Sequence, residues 1–203
     1  MIGEMRDTET AKIGVQSALT GHLVLSTLHT NTAAAAITRL EDMGIERYLI
    51  TSSVNGVLAQ RLVRKLCKHC RESESMSAEM LSSHGLGRFM QSPEDPIYRA
   101  VGCDSCKHTG YRGRTGIHEL FVLDTVMYDA ILDGADSTTL HATARDNGMY
   151  TLFEDGLRKV ARGITSMEEV LRVTLDQQQQ QQQQQQSQEE SLLAADEKLG
   201  LAT

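Results

Sequence analysis

Gly21-His22-Leu23-Val24-Leu25-Ser26-Thr27-Leu28-His29-Thr30-Asn31-Thr32 runs straight into Ala33-Ala34-Ala35-Ala36-Ile37, and the join between the two stretches decides the fold class. Leu23–Leu28 is a short apolar run rich in strand formers and predicts a buried strand. Beyond it, Ala33, Ala36, Ile37 and Leu40 recur at i, i+3, i+4 and i+7. That spacing predicts a helix capped by Thr30 or Asn31 and stopped at Gly44. Upstream, Thr8 is a suitable N-cap for a helix that presents Ala11, Val15, Ala18 and Leu19 on one face and ends at Gly21. Downstream, residues 46–53 predict another helix, and Val57–Leu66 fits a helix or a strand equally well. Strands alternating with helices imply an α/β domain, a sheet covered by helices.

Four cysteines stand in two matched pairs, Cys67-Lys-His-Cys70 and Cys103-Asp-Ser-Cys106, with 32 residues between them and no fifth cysteine in the chain. A CxxC knuckle offers two thiolates to one tetrahedral ion, and a second knuckle completes a Cys₄ site, which predicts structural zinc. Lys65, Lys68, Lys107, Arg112 and Arg114 can offset the net −2 of a zinc tetrathiolate. The competing readings are two disulfides, a redox CxxC and four buried thiols. Nothing in the chain suggests export, which disfavours disulfides, and redox chemistry needs one pair rather than two.

The insert between the knuckles, Ser73–Glu94, is rich in Ser, Met and Gly and predicts a loose helix-and-loop excursion. Gly116–Leu123 predicts a strand that returns to a sheet. Helices should follow, capped by Asp124, by Ser137 and by the Thr165–Glu169 capping box, with Tyr150–Ala161 between the last two. Ten consecutive glutamines, Gln177–Gln186, cannot bury apolar surface and should be disordered. With three Phe, five Tyr and no Trp, the cores must be aliphatic. Four of the seven net negative charges fall in residues 176–203, where five carboxylates face only Lys198, so the remainder is close to balance. A nearly neutral, slightly acidic body lacks the basic face of a nucleic-acid binder. The longest apolar runs are far below the roughly 20 residues that span a bilayer, and Met1–Asp7 has no signal-peptide pattern. The chain reads as cytoplasmic, without direct membrane insertion.

At the start of the chain, Gly3-Glu4-Met5-Arg6-Asp7-Thr8-Glu9 packs acids and an arginine into a strand-to-helix corner. An acid at the C-terminal edge of a parallel sheet is where a nucleotide hydrolase orients Mg²⁺ or attacking water. Taken alone, these residues read more simply as a capped helix with surface charges. His29, at the foot of a helix N-terminus, is well placed for phosphate charge, yet a lone histidine there is more commonly structural.

Together these features resemble, in order, the motifs of the secretion ATPase superfamily that powers type II secretion and type IV pilus assembly. GEMRDTETA resembles the end of its Walker B region and STLHTNTAAAAITRL its His box. LAQRLVRKLCKHC with CDSCKHTGYRGRTGIHEL resembles its tetracysteine module, and GLRKVARGITSMEEVLRVT its C-terminal helices. The match covers residues 1 to about 175. It looks most like the type II secretion branch, with pilus assembly second and the retraction motors, which lack the cysteines, last.

The resemblance implies residues 1–66 as the C-terminal part of a RecA-like P-loop ATPase core and 67–114 as the metal module. It implies 115–175 as a returning strand with a small helical bundle, ahead of a 176–203 tail. It further implies Glu4 as the Walker B glutamate, Arg6 and Asp7 as positioning residues, and His29 near the γ-phosphate with His22 in support. Cys67, Cys70, Cys103 and Cys106 would be the zinc ligands. The intact protein would be a homo-hexamer using ATP and Mg²⁺, peripheral to the inner membrane through secretion platform proteins. One departure is large: no GxxxxGK(S/T) occurs anywhere in the chain, so the phosphate-cradling loop is absent. The family's Asp box and N-terminal domains are absent too. The chain is therefore expected to be the C-terminal piece of a longer ATPase, inactive by itself. The alternatives are a type IV pilus assembly counterpart and a non-catalytic, zinc-stabilised partner-binding module.

Overall fold

The computed structural model describes residues 1–30, 32–92 and 94–174, which fall into two compact units. The Gln tract and the Asn31 cap lie outside the described residues. The first unit comprises Met1–Leu62 and Gly116–Arg158; the second takes in Val63–Thr115 and the chain from Lys159 onward.

In the first unit, α1 (Thr8–Leu19), α2 (Ala35–Asp42) and α3 (Arg47–Ser53) stand where the apolar spacing put them. Their caps differ by a residue or more. Asp7 closes α1 by accepting the Thr10 N–H at 2.8 Å, a charged acceptor one position ahead of Thr8 that meets the orphan amides of the first turn. At α2, Thr32 Oγ1 accepts the Ala35 N–H at 3.2 Å. Gly44, at φ 76, ends that helix in the left-handed conformation glycine tolerates. The stretch before α2 departs from expectation. Residues 22–30 are extended but not buried: Leu23 is 79% and Leu25 58% exposed. Residues 2–5 run parallel beside them through Ile2 N to Leu25 O (2.9 Å) and Met5 N to Thr27 O (3.1 Å). Two bonds along one edge leave Leu23 and Leu25 uncovered, while Leu28 packs against the core of the first unit.

The ambiguous 57–66 segment is a strand, β1 (Gly56–Leu66), paired with the later β4 (Tyr111–Val122). Bonds from Leu123 N to Asn55 O and from Cys67 N to Gly110 O bracket the pair and make it antiparallel. Pairing settles what periodicity could not. A Cβ on Gly56 would stand 3.0 Å from Phe121 O, so the strands approach closely there. The inner face of β4 carries Phe121, wholly buried with Ile37, Leu40, Ile50, Met127, Ile131 and Leu140 in one core. Two further helices complete the unit, α5 (Thr125–Leu132) and α6 (Ser137–Asp146), capped by Asp124 and Asp136. Asp136 displaces the expected Ser137, again one residue earlier. α1 and α5 pack on α3, and α6 on α2 and α5.

In the second unit, the insert holds short helical turns among loops, with a strand pair at its two ends. β2 (Glu72–Glu74) pairs antiparallel with β3 (Ile97–Arg99), Glu72 facing Arg99 at 2.6 Å, and α4 (Ala78–Ser83) lies between them in sequence. α7 (Leu152–Ala161) begins among the residues of the first unit and ends among those of the second. The last described helix covers residues 167–174. Ser166 Oγ caps it by accepting the Glu169 N–H at 3.2 Å. The Glu169 carboxylate does not close a reciprocal capping box. It accepts instead from Arg64 and Arg172. No described helix is long and apolar enough to cross a membrane.

Candidate functional sites

The four cysteine sulfurs come together in the second unit, all within 4.8 Å of one another. Cys67 and Cys103 are 4.0 Å apart, Cys70 and Cys106 3.8 Å, and Cys103 and Cys106 3.8 Å. A disulfide needs about 2.05 Å, so all four are free thiols. A zinc–sulfur bond of about 2.3 Å sets the edge of a tetrahedron at about 3.8 Å. Three of the sulfur pairs are close to that edge and none exceeds 4.8 Å, so the four residues fit a tetrahedral soft-metal ion. Backbone geometry makes the cage. Cys103 N and Gly110 N each lie 3.2 Å from the Cys106 sulfur. Lys107 and His108 take left-handed φ of 55° and 59° at the knuckle turn. Gly110 also has positive φ, 74°, and a Cβ there would meet Ala100 Cβ at 2.6 Å, so glycine is required.

The thiols are not equivalent. Burial pushes Cys70 up to about 12, helped by the neighbouring cysteine thiols. Burial also acts upward on Cys106, but the Cys103 and Gly110 amides and adjacent thiols overturn it and bring that thiol down to about 6. Cys106 is thus ready to bind as a thiolate near neutral pH. The donors found on its sulfur are backbone amides and the neighbouring Cys70 and Cys103 thiols. The contribution of Gly110, unnoticed in the sequence, was signalled only by the glycine after His108-Thr109.

In the first unit, Glu4, Arg6 and His29 converge. Arg6 Nη2 stands 2.5 Å from one Glu4 oxygen and His29 Nε2 3.1 Å from the other. The parallel pairing of residues 2–5 with 25–27 causes this, and Thr27 Oγ1 adds a bond to Gly3 O at 2.8 Å. The Arg6 hydrogen bond, with the Arg6 and His29 charges, holds the Glu4 carboxyl below its usual range against a smaller effect of burial. Glu4 is therefore ionised at neutral pH. A carboxylate so engaged orients a hydrogen-bond donor better than it removes a proton. His22 is not joined to this group: its Nδ1 lies 3.2 Å from Thr20 Oγ1 and 3.3 Å from Ser17 O, at the end of α1. Sequence reasoning also passed over Glu119 on β4, whose buried carboxylate accepts the Ala33 N–H at 3.0 Å just ahead of α2.

The described fold is that of a group of ATPases of known structure. It superposes on the X-ray structure of the Legionella pneumophila ATPase DotB with a TM-score of 0.52 and 21% identity, over 83% of this chain and 36% of that one. The pilus retraction motor PilT with bound ADP gives a TM-score of 0.53 and 21% identity, over 84% of this chain and 37% of that one. At such identity the fold alone is shared. The sequence goes further: the model of the type II/IV secretion system protein family matches residues 1–172, and the chain belongs to that family. It is 51% identical over 174 residues to type II secretion system protein E of Aeromonas hydrophila, covering 86% of this chain and 34% of that protein. It is 52% identical to type II secretion system protein HxcR of Pseudomonas aeruginosa, covering 87% and 33%. The type IV pilus assembly ATPase PilB of Thermus thermophilus is 49% identical, covering 87% and 20%. The chain thus spans about a third or less of these relatives' length.

Proposed function

We propose that this chain is the C-terminal portion of the cytoplasmic, homo-hexameric ATPase that powers type II protein secretion, driving pseudopilus assembly through inner-membrane platform proteins. The observation that carries the reading is the collinear identity of about half of all positions with type II secretion system proteins over 174–176 residues. Convergence of Glu4, Arg6 and His29 supports it. In this reading Glu4 orients the attacking water, Arg6 holds the Glu4 carboxylate ionised, and Asp7 fixes the corner by capping α1. His29 faces the terminal phosphate, with His22 more remote. Cys67, Cys70, Cys103 and Cys106 hold a structural zinc whose role is to pin the two knuckles together. The helices after β4 form the C-terminal subdomain of the RecA-like core.

ATP and Mg²⁺ belong to this reading, but the residues of this chain do not suffice to hold them. It contains no glycine-rich loop with a lysine to neutralise the β- and γ-phosphates. A second reading, a non-catalytic zinc-stabilised module that docks on a partner, draws on the four-cysteine cluster. The type IV pilus assembly assignment has no stronger support than the type II one.

The test joins residues 1–175 to a matching N-terminal half that supplies the phosphate loop. Glu4→Gln should abolish turnover while nucleotide affinity stays largely intact, because it keeps shape and removes only the charge that orients water. His29→Ala should lower turnover by less. Normal turnover in Glu4→Gln would refute the Walker B assignment and with it the placement in the motor.

A further inference from the structure

Glu119 is a carboxylate in a strand interior, 3% exposed. Its Oε1 accepts the Ala33 N–H at 3.0 Å, and its Oε2 lies 3.5 Å from His141 Nε2 on α6. Burial acts to raise its pKa, but His141 and the Ala33 and Leu152 N–H groups hold it below the usual carboxylate range. Leu152 is the first residue of α7. One buried anion therefore stands against the starts of two helices and the side of a third, where helix N-termini favour negative charge. The alanine run acquires a reason here. Ala33, Ala34 and Ala36 are wholly buried, and their small side chains leave the backbone open to the approaching carboxylate.

Four residues before Ala33, the side chain of His29 is 88% exposed and bonded to Glu4 at 3.1 Å. Between them Thr30 Oγ1 donates to Thr32 O at 3.1 Å, and Thr32 Oγ1 accepts the Ala35 N–H at 3.2 Å. His29 is thus tied to Glu4, and Ala33, four residues later, to Glu119. An exposed imidazole has no packing to fix it, so its place depends on the backbone that carries it. We propose that Glu119 is a positioning residue for His29: by anchoring Ala33 it fixes the segment that presents the imidazole to Glu4. The positioning stands on the geometry; its consequence for turnover rests on the reading of His29 as the phosphate-facing histidine.

Amide hydrogen exchange and ¹⁵N relaxation on the full chain test the anchor. In the unaltered chain the Ala33 amide should exchange more slowly than those of Thr30 and Thr32; equal exchange overturns the proposal. Glu119→Gln keeps shape and one acceptor oxygen but removes the charge. Exchange at Ala33 should then quicken by about tenfold, as expected when a charge-assisted bond becomes a neutral one. Order parameters over residues 29–33 should drop while bound zinc stays constant. Should Glu119→Gln fail to fold, Glu119→Asp, which keeps the charge but falls one methylene short, should loosen the same residues. If neither variant loosens residues 29–33, the proposal is wrong.

In the intact protein, Glu119→Gln should lower kcat with little change in the KM for ATP, and should add little to His29→Ala, since both act through one side chain. Fully additive losses would mean a merely structural role and would overturn the proposal. If Ala33 loosens as expected but His29→Ala leaves kcat normal, the anchor stands and the phosphate-facing reading of His29 fails.

Discussion

Replacing Glu169 by glutamine removes one charge from a site where five donors converge. The side chain is fully buried. It accepts from Arg64 through N (3.0 Å), Nε (2.9 Å) and Nη2 (2.6 Å), and from Arg172 through Nε (2.9 Å) and Nη2 (2.8 Å). Burial alone would raise its pKa. The Arg172 and Arg64 guanidinium groups and the Arg64 N–H overcome that and bring it to about 2, from an ordinary 4.5. At about 1.4 kcal/mol per unit, that difference is on the order of 3 kcal/mol of folding free energy at neutral pH. The two arginine side chains are 41% and 52% exposed, so solvent screens part of the attraction, and about 2–3 kcal/mol is the expected loss in Glu169→Gln. Urea unfolding of the chain loaded with zinc, followed by release of the added metal, reads this in the second unit. With a slope of about 1–3 kcal/mol per molar for small domains, the midpoint should fall by roughly 0.7–3 M.

The pH dependence fixes the sign. A depressed folded pKa gives stability that is fully present above the unfolded value and is lost as pH falls toward the folded one. The gap between the two proteins should stay level from neutral pH to about 5 and close between about pH 5 and 2. Peptide ellipticity serves as the probe there, since acid also strips metal from thiolates. Equal midpoints at pH 7, or a gap that persists at pH 2, would refute the assignment of a buried, ionised Glu169.

The remaining expectations are simpler. Protein purified without chelator should carry one zinc per chain by metal analysis, and Cys103→Ser should release it and loosen residues 67–114; metal-free protein with an unchanged melting profile would count against the Cys₄ site. The isolated chain should not hydrolyse Mg-ATP, because without the phosphate loop Glu4 has no placed nucleotide to act on. Rates of about 1 per second or more, ordinary for such enzymes, would mean that phosphate binding is supplied by residues not yet identified.

The parts of this molecule that could be read from its sequence are those whose signal is local. The spacing of Ala33, Ile37 and Leu40 defines one helix face regardless of what it packs against. The two CxxC knuckles carry their geometry in four residues each, and the structure brings their sulfurs within 4.8 Å of one another. Val57, Leu58, Leu62 and Val63 suit both periods, and only the pairing of β1 with β4, some 55 residues later, makes that segment a strand. Leu23–Leu28 failed in the opposite sense. Its composition is that of a covered strand, but burial depends on neighbours, and the residues beside it cover a single edge. The helix caps shifted by one residue because Asp7 and Asp136 each precede the hydroxyl that looked adequate by itself.

Glu119 and Glu169 were illegible for a deeper reason. Their backbone partners lie 86 and 105 residues away, and a lone acid in an otherwise ordinary strand or helix gives no hint of either. Yet these are the charges the fold can least afford to leave unpaired, and no buried side-chain polar atom among the described residues lacks a partner. An aliphatic core without tryptophan packs many arrangements nearly as well as the native one. Directional ties between distant segments discriminate among them, because a misplaced apolar side chain loses a little contact area, whereas a misplaced buried carboxylate loses every donor it had. In this chain that discrimination falls to three devices: Glu119 at the start of α2, Glu169 between Arg64 and Arg172, and the cluster of four cysteines. Each joins residues that no local pattern could have linked, except the cysteines, whose own chemistry announces the partnership in advance.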